Sequence, residues 1–510
     1  MIQRLHLSDW LTIGHYIGAL IALIAVAMVP SFIIGLLFQE YAAATNLLFS
    51  IGVSAVVGCA LLFCRVDKPE LTWRQSLVIT GLCWLVLSLF SALPLYLSGS
   101  FSDYLDAFFE SVSAFTTTGC SVANDVDHLP QCLVFWRCTM HLIGGVGVVV
   151  IALALGVFGT GAAAAALYRA EARTGQVMPE IKQTSRFIVR VAAVIVAIGT
   201  LACMVPLLIS GLPPLKALYN AFVVASAAFT TGGMSNHSSG IIFYQSWPLE
   251  IIALTLAACG CINFVLYGDI WRGITKNFFK DIEVRTIVIW VLILVVLMML
   301  ALSGSYFTTL GGQVRRALFE VLSGAFNLGF STLYPGQVLY TMGSGALFVV
   351  ILAMCIAGSS SSASGGIKAF RIAIIARSIV QTTREALAPD RARPRTFFYQ
   401  RGRRLVTPEL VSSSLIIALL FVITYAIGAV AGIAYGYDAL PSIFDSVSVA
   451  ANTGLSLGVV SPGMPQGLEI IYIFEMWLGR LEFIAAFAMI VEFFAFLSPR
   501  DRTRRRIGRK

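Results

Sequence analysis

Phe109-Glu110-Ser111-Val112-Ser113-Ala114-Phe115-Thr116-Thr117-Thr118-Gly119-Cys120-Ser121 has three partial echoes further along the chain. Gly119-Cys120-Ser121, Gly233-Met234-Ser235, Gly329-Phe330-Ser331 and Gly454-Leu455-Ser456 each set a glycine, a hydrophobic or cysteine residue and a serine in that order. Their glycines lie 114, 96 and 125 residues apart. Nine residues before the glycine stand Glu110, Glu320 and Asp445, preceded by Phe109, Phe319 and Phe444; six before it stand Ser113, Ser323 and Ser448. The second stretch departs, with Val224 and Ala227 at those places. The glycines are entered through Thr117-Thr118, Thr231-Gly232, Asn327-Leu328 and Asn452-Thr453. One Gly-x-Ser tripeptide carries no information, since small residues pack membrane helices generally. Four in matching surroundings define an internal repeat.

Working outward, each unit reads as a long apolar helix, a short amphipathic segment, the glycine stretch and a second long helix. The short segment, about a dozen residues, cannot span a bilayer. A short helix followed by non-helical backbone at membrane depth is a re-entrant loop, which persists only where it lines a water-filled path or is buried in protein. Glycine reaches positive φ without penalty, so successive carbonyls are free to point one way. Rings of such carbonyls replace the hydration shell of a cation. The carboxylates of the short helices are candidates for drawing cations in or for capping neighbouring structure.

Composition agrees with a membrane location. The chain has 510 residues, 58% hydrophobic and 12% charged, with a mean hydropathy of +0.85; a soluble protein carries about 25% charged residues. Apolar runs fall at 17–38, 77–97, 133–158, 187–210, 286–302, 411–434 and 468–497. The alternating segments of about ten residues that mark a β-barrel are absent. The expected fold is an all-α polytopic membrane protein, with four helix–pore loop–helix repeats around one central pore. The divisions are 1–70, two N-terminal transmembrane helices; 71–165, 166–275 and 276–395, the first three repeats; and 396–510, the fourth repeat with a basic tail. Two helices plus four pairs give about ten spans.

Charge placement leads to the same even number. Thirty of the 35 Lys and Arg lie at the two ends and in Arg65–Arg74, Arg169–Arg190, Arg272–Arg285 and Lys368–Arg404. Basic loops stay cytoplasmic, so both termini are expected there. The same bias accounts for the net charge of +9, and nucleic acid is not an expected partner. The first apolar run continues through Phe38, too long for a signal h-region of roughly 7–15 residues; a retained first helix is expected. The ten cysteines read as small buried hydrophobes, without a structural disulfide.

Two features interrupt the apolar pattern. Gly358-Ser359-Ser360-Ser361-Ser362-Ala363-Ser364-Gly365-Gly366 follows the apolar run Leu347–Ala357. Nine small residues do not hold a helix. The stretch reads either as a cytoplasmic linker or as a gating loop just below the filter. Arg480 stands in the last apolar run, where a charge at mid-membrane costs roughly 2.5–3.5 kcal/mol on insertion scales. It reads either as half of a buried ion pair, with Glu482, Glu475 and Glu492 as candidates, or as a fixed positive charge in the pore.

These segments resemble the Trk/Ktr/HKT superfamily of potassium transporters, and within it the bacterial TrkH/TrkG branch. The resemblance rests on Thr116-Thr117-Thr118-Gly119, Thr231-Gly232-Gly233-Met234, Gly329-Phe330-Ser331-Thr332 and Asn452-Thr453-Gly454-Leu455-Ser456. It extends to His141-Leu142-Ile143-Gly144-Gly145-Val146-Gly147, Ala357–Lys368 and Gly479-Arg480-Leu481-Glu482. It implies that Thr117, Thr118, Gly119, Thr231, Gly232, Gly233, Asn327, Leu328, Gly329, Asn452, Thr453 and Gly454 hold potassium ions in a filter. Four glycines imply potassium preference. It further implies gating by Ser359–Gly366 and Arg480, a homodimer in membrane lipid, a cytoplasmic nucleotide-binding ring of the TrkA type, and a bacterial cytoplasmic membrane. Asn327-Leu328 and the missing second acid depart from the pattern and bear on selectivity.

The expected function is gated potassium uptake driven by the membrane potential. The alternatives are a proton- or sodium-coupled symporter and a sodium-permeable member of the same family. Coupling needs a titratable or second ion site, for which His141, Glu475, Glu482 and Glu492 are the few intramembrane candidates. An enzyme is not expected: there is no HExxH, Walker A or GxSxG motif of the required context, and no organic cofactor is implied.

Overall fold

The computed structural model describes residues 5–64, 71–158, 181–302, 310–334, 338, 342–389 and 395–497. It is mostly helical. Helices α1 (Leu7–Leu37) and α2 (Tyr41–Leu62) form an antiparallel pair, and α1 also packs on α3 and α5. Then come α3 (Trp73–Leu97), α4 (Tyr104–Phe115) and α5 (Gln131–Phe158), followed by α6 (Ile181–Ile209), α7 (Pro214–Phe229), α8 (Trp247–Cys261) and α9 (Phe264–Trp271). The short α10 (Lys276–Lys280) leads to α11 (Ile282–Leu302), α12 (Leu310–Ala325), α13 (Gly343–Cys355) and α14 (Ala369–Leu387). The chain ends in α15 (Pro408–Ala434), α16 (Ala439–Ala450), α17 (Gln466–Arg480) and α18 (Ile484–Leu497).

Local chemistry sets several of these starts. Thr72 accepts from the Gln75 amide at 3.3 Å while the Gln75 side chain accepts from the Thr72 amide at 2.8 Å, a reciprocal cap that opens α3. Asp103 accepts from the Asp106 amide at 2.9 Å and opens α4. Thr407 caps α15, whose first residue is Pro408, where a missing N–H costs nothing.

Six helices among the described residues are long and apolar enough to cross a membrane: α1, α2, α3, α6, α11 and α15. The pair α8–α9, bent by 93° at its break, makes a seventh if read as one span. Only 11% of the residues in the apolar window of α11 are fully buried; one face packs on α12, α13 and α14 through Leu294 and Met298, and Ile289, Leu292, Ile293 and Val296 are exposed on the other. The chain is a multi-pass membrane protein.

Four short helices, α4, α7, α12 and α16, lie inward of the long ones. The helix after each packs on the next in turn: α5 on α7, α8 on α12, α13 on α16, and α17 back on α4. Helix α18 then returns to α3. The contacts run in a closed circle, although the chain is linear.

Two expectations need correction. The fold is not purely α. Ile356–Ala357 (β1) pairs in parallel with Ile367–Lys368 (β2), and Phe397–Tyr399 (β3) pairs antiparallel with Arg403–Leu405 (β4). In the first pair, the chain leaving α13 and the chain entering α14 run side by side and satisfy each other's backbone groups. The apolar run 468–497 is not one helix: Leu481-Glu482-Phe483 separates α17 from α18, with φ of 49° at Glu482 and 70° at Phe483. Tertiary contacts hold the break. Glu482 pairs with Arg371 of α14, and the Phe483 ring meets Phe421 edge-on at 4.9 Å. The ten cysteines are free thiols.

Candidate functional site

Each short helix ends in the same turn. Thr117, Thr231, Asn327 and Asn452 have φ of 56°, 55°, 51° and 55°, and the glycines two residues later have φ of 84°, 64°, 77° and 88°. A left-handed residue that is not glycine is uncommon and marks a constrained turn. The hydrogen bonds repeat as well. The amides of Thr117, Thr231, Asn327 and Asn452 donate to Ala114, Ala228, Gly324 and Val449, each at 3.1 Å. The amides of Thr118, Gly232, Leu328 and Thr453 donate to Ser113, Ala227, Ser323 and Ser448 at 2.8–3.0 Å.

The four turns meet. A methyl group built on Gly119 would lie 1.6 Å from the carbonyl oxygen of Gly232. On Gly233 it would lie 2.6 Å from that of Leu328, on Gly329 2.4 Å from that of Thr453, and on Gly454 2.2 Å from that of Thr118. Each glycine therefore sits against the carbonyl that precedes its neighbour's glycine, and the fourth contact returns to the first turn. Side chains brace the ring in the same direction. Asn327 donates to Thr453 Oγ1 at 2.6 Å, and Asn452 to Thr118 Oγ1 at 2.9 Å. All four glycines line one cavity of about 600 Å³, which also reaches Asp125, Asp127 and His237.

The carboxylates nine residues before the glycines are buried and pin the chain that leaves each turn. Glu110 accepts from Ser121 Oγ at 3.0 Å and the Val122 amide at 3.1 Å. Glu320 accepts from Ser331 Oγ at 3.0 Å and the Thr332 amide at 2.8 Å. Asp445 accepts from Ser456 Oγ and the Leu457 amide, both at 2.7 Å. Of the two roles read for these acids, the geometry shows the capping one. In the second turn, where Val224 stands instead, Arg137 takes part: it pairs with Glu110 at 2.6 Å and donates to the Ser235 carbonyl at 3.2 Å. Asn220 and Asn236 are joined there at 2.9 Å. The sequence reading did not single out Arg137 as a site residue, although a charge inside the run 133–158 was a signal for it.

Gly358–Gly366 packs against the end of α8 and the fourth turn and is not a solvated linker. Ser359, Ser361, Ser362 and Ser364 are buried. The Ser359 and Ala363 amides donate to the Cys261 and Gly260 carbonyls at 2.9 and 3.0 Å, and the Phe264 amide donates back to Ser361 at 2.9 Å. Ser360 donates to Glu283 through its hydroxyl at 2.5 Å. The Gly358 amide donates to Ser364 Oγ at 3.0 Å, and Gly365 packs on the Ala451 carbonyl and Asn452. Gly366, with φ of 66°, turns the chain into β2.

Arg480 joins this loop to the ring. Its guanidinium donates to the Ala363 carbonyl at 2.6 Å, to Thr117 Oγ1 at 3.2 Å and to the Gly144 carbonyl at 2.7 Å, and it lies 5.6 Å from the Trp84 ring centre. The carboxylates considered as its partners bind elsewhere. Glu482 pairs with Arg371, Glu475 accepts from Ser446 Oγ at 3.3 Å, and Glu492 lies 3.9 Å from Arg74. His141 packs on Gly232, where a methyl group would meet its ring at 2.1 Å.

The family described as "TrkH: Cation transport protein" matches residues 44–503. The chain is 29% identical over 484 residues to an uncharacterized cation transporter of Methanocaldococcus jannaschii, covering 95% of this chain and 96% of that one. It is 28% identical to the Trk system potassium uptake protein TrkH of Escherichia coli K12, covering 94% and 98%. The crystal structure of the potassium transporter TrkH from Vibrio parahaemolyticus superposes with a TM-score of 0.80 at 24% identity, covering 96% of this chain and 99% of that one.

Proposed function

Since the chain belongs to the TrkH family of cation transport proteins, we propose that it takes up potassium through a single pore whose filter is the glycine ring. The observation that carries this reading is the closed circuit of close approaches, Gly119 to Gly232, Gly233 to Leu328, Gly329 to Thr453 and Gly454 to Thr118. Four backbone carbonyls, each set against the glycine of a neighbouring turn, are hard oxygen ligands for an alkali cation. The units 71–165, 166–275, 276–395 and 396–510 act as four pore repeats, with residues 1–70 outside them and both termini cytoplasmic. Potassium ions are the cargo in the filter, held by the residues named for it above.

The driving force is the membrane potential, worth about 2.3 kcal/mol per charge per 100 mV. Gly358–Gly366 is the gate, and Arg480 is its latch and a fixed positive charge beneath the filter. The bond from Arg480 to Ala363, together with the loop's seat on Cys261 and Asn452, supports this assignment. The protein works as a homodimer in the bacterial cytoplasmic membrane, under a cytoplasmic nucleotide-binding ring of the TrkA type. The "Trk system" in the relatives' names supports a multi-component assembly.

The test is flux into proteoliposomes at clamped voltage, with potassium, rubidium and sodium compared. Potassium and rubidium are expected to move well ahead of sodium. Equal sodium flux would overturn the substrate. A potassium flux that falls when the proton gradient alone is collapsed would replace the channel with a symporter.

A further inference from the structure

A second cavity, of about 1120 Å³, lies between the β3–β4 hairpin, α14 and the first turns of α11, and shares no lining residue with the cavity at the ring. Five arginines line it: Arg285, Arg377, Arg384, Arg395 and Arg403. Among the described residues no Asp or Glu lines it. Arg377 is fixed by a hydrogen bond to the Phe397 carbonyl, Arg403 by stacking 4.0 Å from the Phe397 ring centre, and Arg285 by donating to the Phe279 carbonyl at 2.8 Å. A guanidinium carries five N–H donors, so these bonds leave most donors for a ligand.

Beyond Arg285 and Thr286, the lining that a membrane helix contributes is apolar. Ile289, Trp290 and Ile293 of α11 line the cavity; Ile289 is 59% and Ile293 46% exposed. The exposed face of α11 thus runs from the apolar stretch of a membrane helix into a cup to which the described residues contribute five arginines and no carboxylate. A free anion satisfies only the cup. A molecule with a phosphate at one end and acyl chains at the other satisfies both walls, and basic pockets at the cytoplasmic ends of transmembrane helices recognise such headgroups. We propose that this cavity binds the phosphate of an anionic phospholipid, with the acyl chains lying along Ile289 and Ile293. The inference rests on the membrane placement of α11 and not on which ion crosses the pore.

The test uses the full chain in neutral detergent, with lipid retention read by native mass spectrometry. Phosphatidylglycerol should be retained and phosphatidylcholine lost. Arg384 and Arg395 are exposed, so R384Q/R395Q should fold and yet weaken phosphatidylglycerol retention about tenfold, while Lys216→Gln, outside the cavity, leaves it unchanged. Equal retention of both lipids by the unmodified protein would overturn the proposal without any variant. Undiminished retention by the double variant would do the same. Full displacement by millimolar inorganic phosphate would reassign the site to a free anion. A shift of the double variant from dimer to monomer with lipid retention intact would make this face a contact between copies. None of these outcomes alters the potassium-to-sodium flux ratio, so failure here is separable from failure of the transport reading.

Discussion

At Gly119 and Gly454 a single methyl group decides whether neighbouring turns fit, since it would stand 1.6 and 2.2 Å from a carbonyl oxygen that the backbone holds in place. Gly119→Ala is therefore expected to abolish flux in protein that still inserts. Gly233 is less tightly held, 2.6 Å, yet a side chain there still pushes on the backbone of Leu328 and Gly329. Gly233→Ser should leave flux but lower the potassium preference over sodium by roughly tenfold, equivalent to about 1.4 kcal/mol; reversal potentials of reconstituted protein measure it. Unchanged selectivity would mean that these carbonyls are not the filter. The Glu110–Arg137 pair is buried on both sides. Removing one partner of such a pair costs about 3–5 kcal/mol, so Glu110→Ala should lower the unfolding midpoint in detergent sharply, and Glu110→Ala with Arg137→Met should recover part of it. The glycines and acids were legible because their offsets recur. The acids' work was not, because a carboxylate that attracts cations and one that accepts from Ser121 and Val122 look the same in sequence.

Among the elements, the loop Gly358–Gly366 has the clearest experimental handle. It is held by Ser359–Cys261, Ala363–Gly260, Ser361–Phe264 and Arg480–Ala363 hydrogen bonds, and it packs on Asn452 of the fourth turn. Deleting Ser359–Ser364 should raise single-molecule conductance several-fold without a cytoplasmic partner, as read in planar bilayers. Unchanged or lost conductance at normal expression would remove its role as a gate. This interruption could be read from composition, because nine small residues in a row do not sustain a helix. The breaks at Ile262-Asn263 and Leu481–Phe483 could not. Neither contains Gly or Pro, and both are imposed from outside: Asn263 Oδ1 takes the Val265 amide at 3.0 Å and its Nδ2 donates to Glu283 at 3.2 Å, while Glu482 is held by Arg371. Short apolar helices such as α17 and α18 sum to the same hydropathy as one long helix, so pattern alone joins them.

Over the whole molecule, carboxylates line one cavity and five arginines, with no described Asp or Glu, line another. The cavity that touches the four glycines carries Asp125 and Asp127 at its mouth. His128, hydrogen-bonded to Asp125, and the Ser238 hydroxyl, bonded to Asp127, hold both carboxyls below their ordinary value. A lowered pKa means that the negative form persists above it and is lost only as pH falls through it. Initial uptake at limiting potassium should therefore stay flat from pH 8 down to about 5, and decline only below about 4, where carboxylates protonate. A decline centred near neutrality would mean that another group governs entry. Asp125→Asn with Asp127→Asn should slow uptake most at low ionic strength, where charge steering is least screened.

The ring closes within one polypeptide, since α17 packs on α4 and α18 on α3. In a pore assembled from four identical subunits, one codon change alters every wall at once, and natural selection must accept or reject all four together. In the pore proposed for this chain each wall has its own codon. Leu328 and Gly232 already stand where the first and fourth turns have Thr118 and Thr453. If the four turns form the proposed filter, such a lineage can explore ion preference in steps a quarter the size, keeping three walls as they were while the fourth drifts.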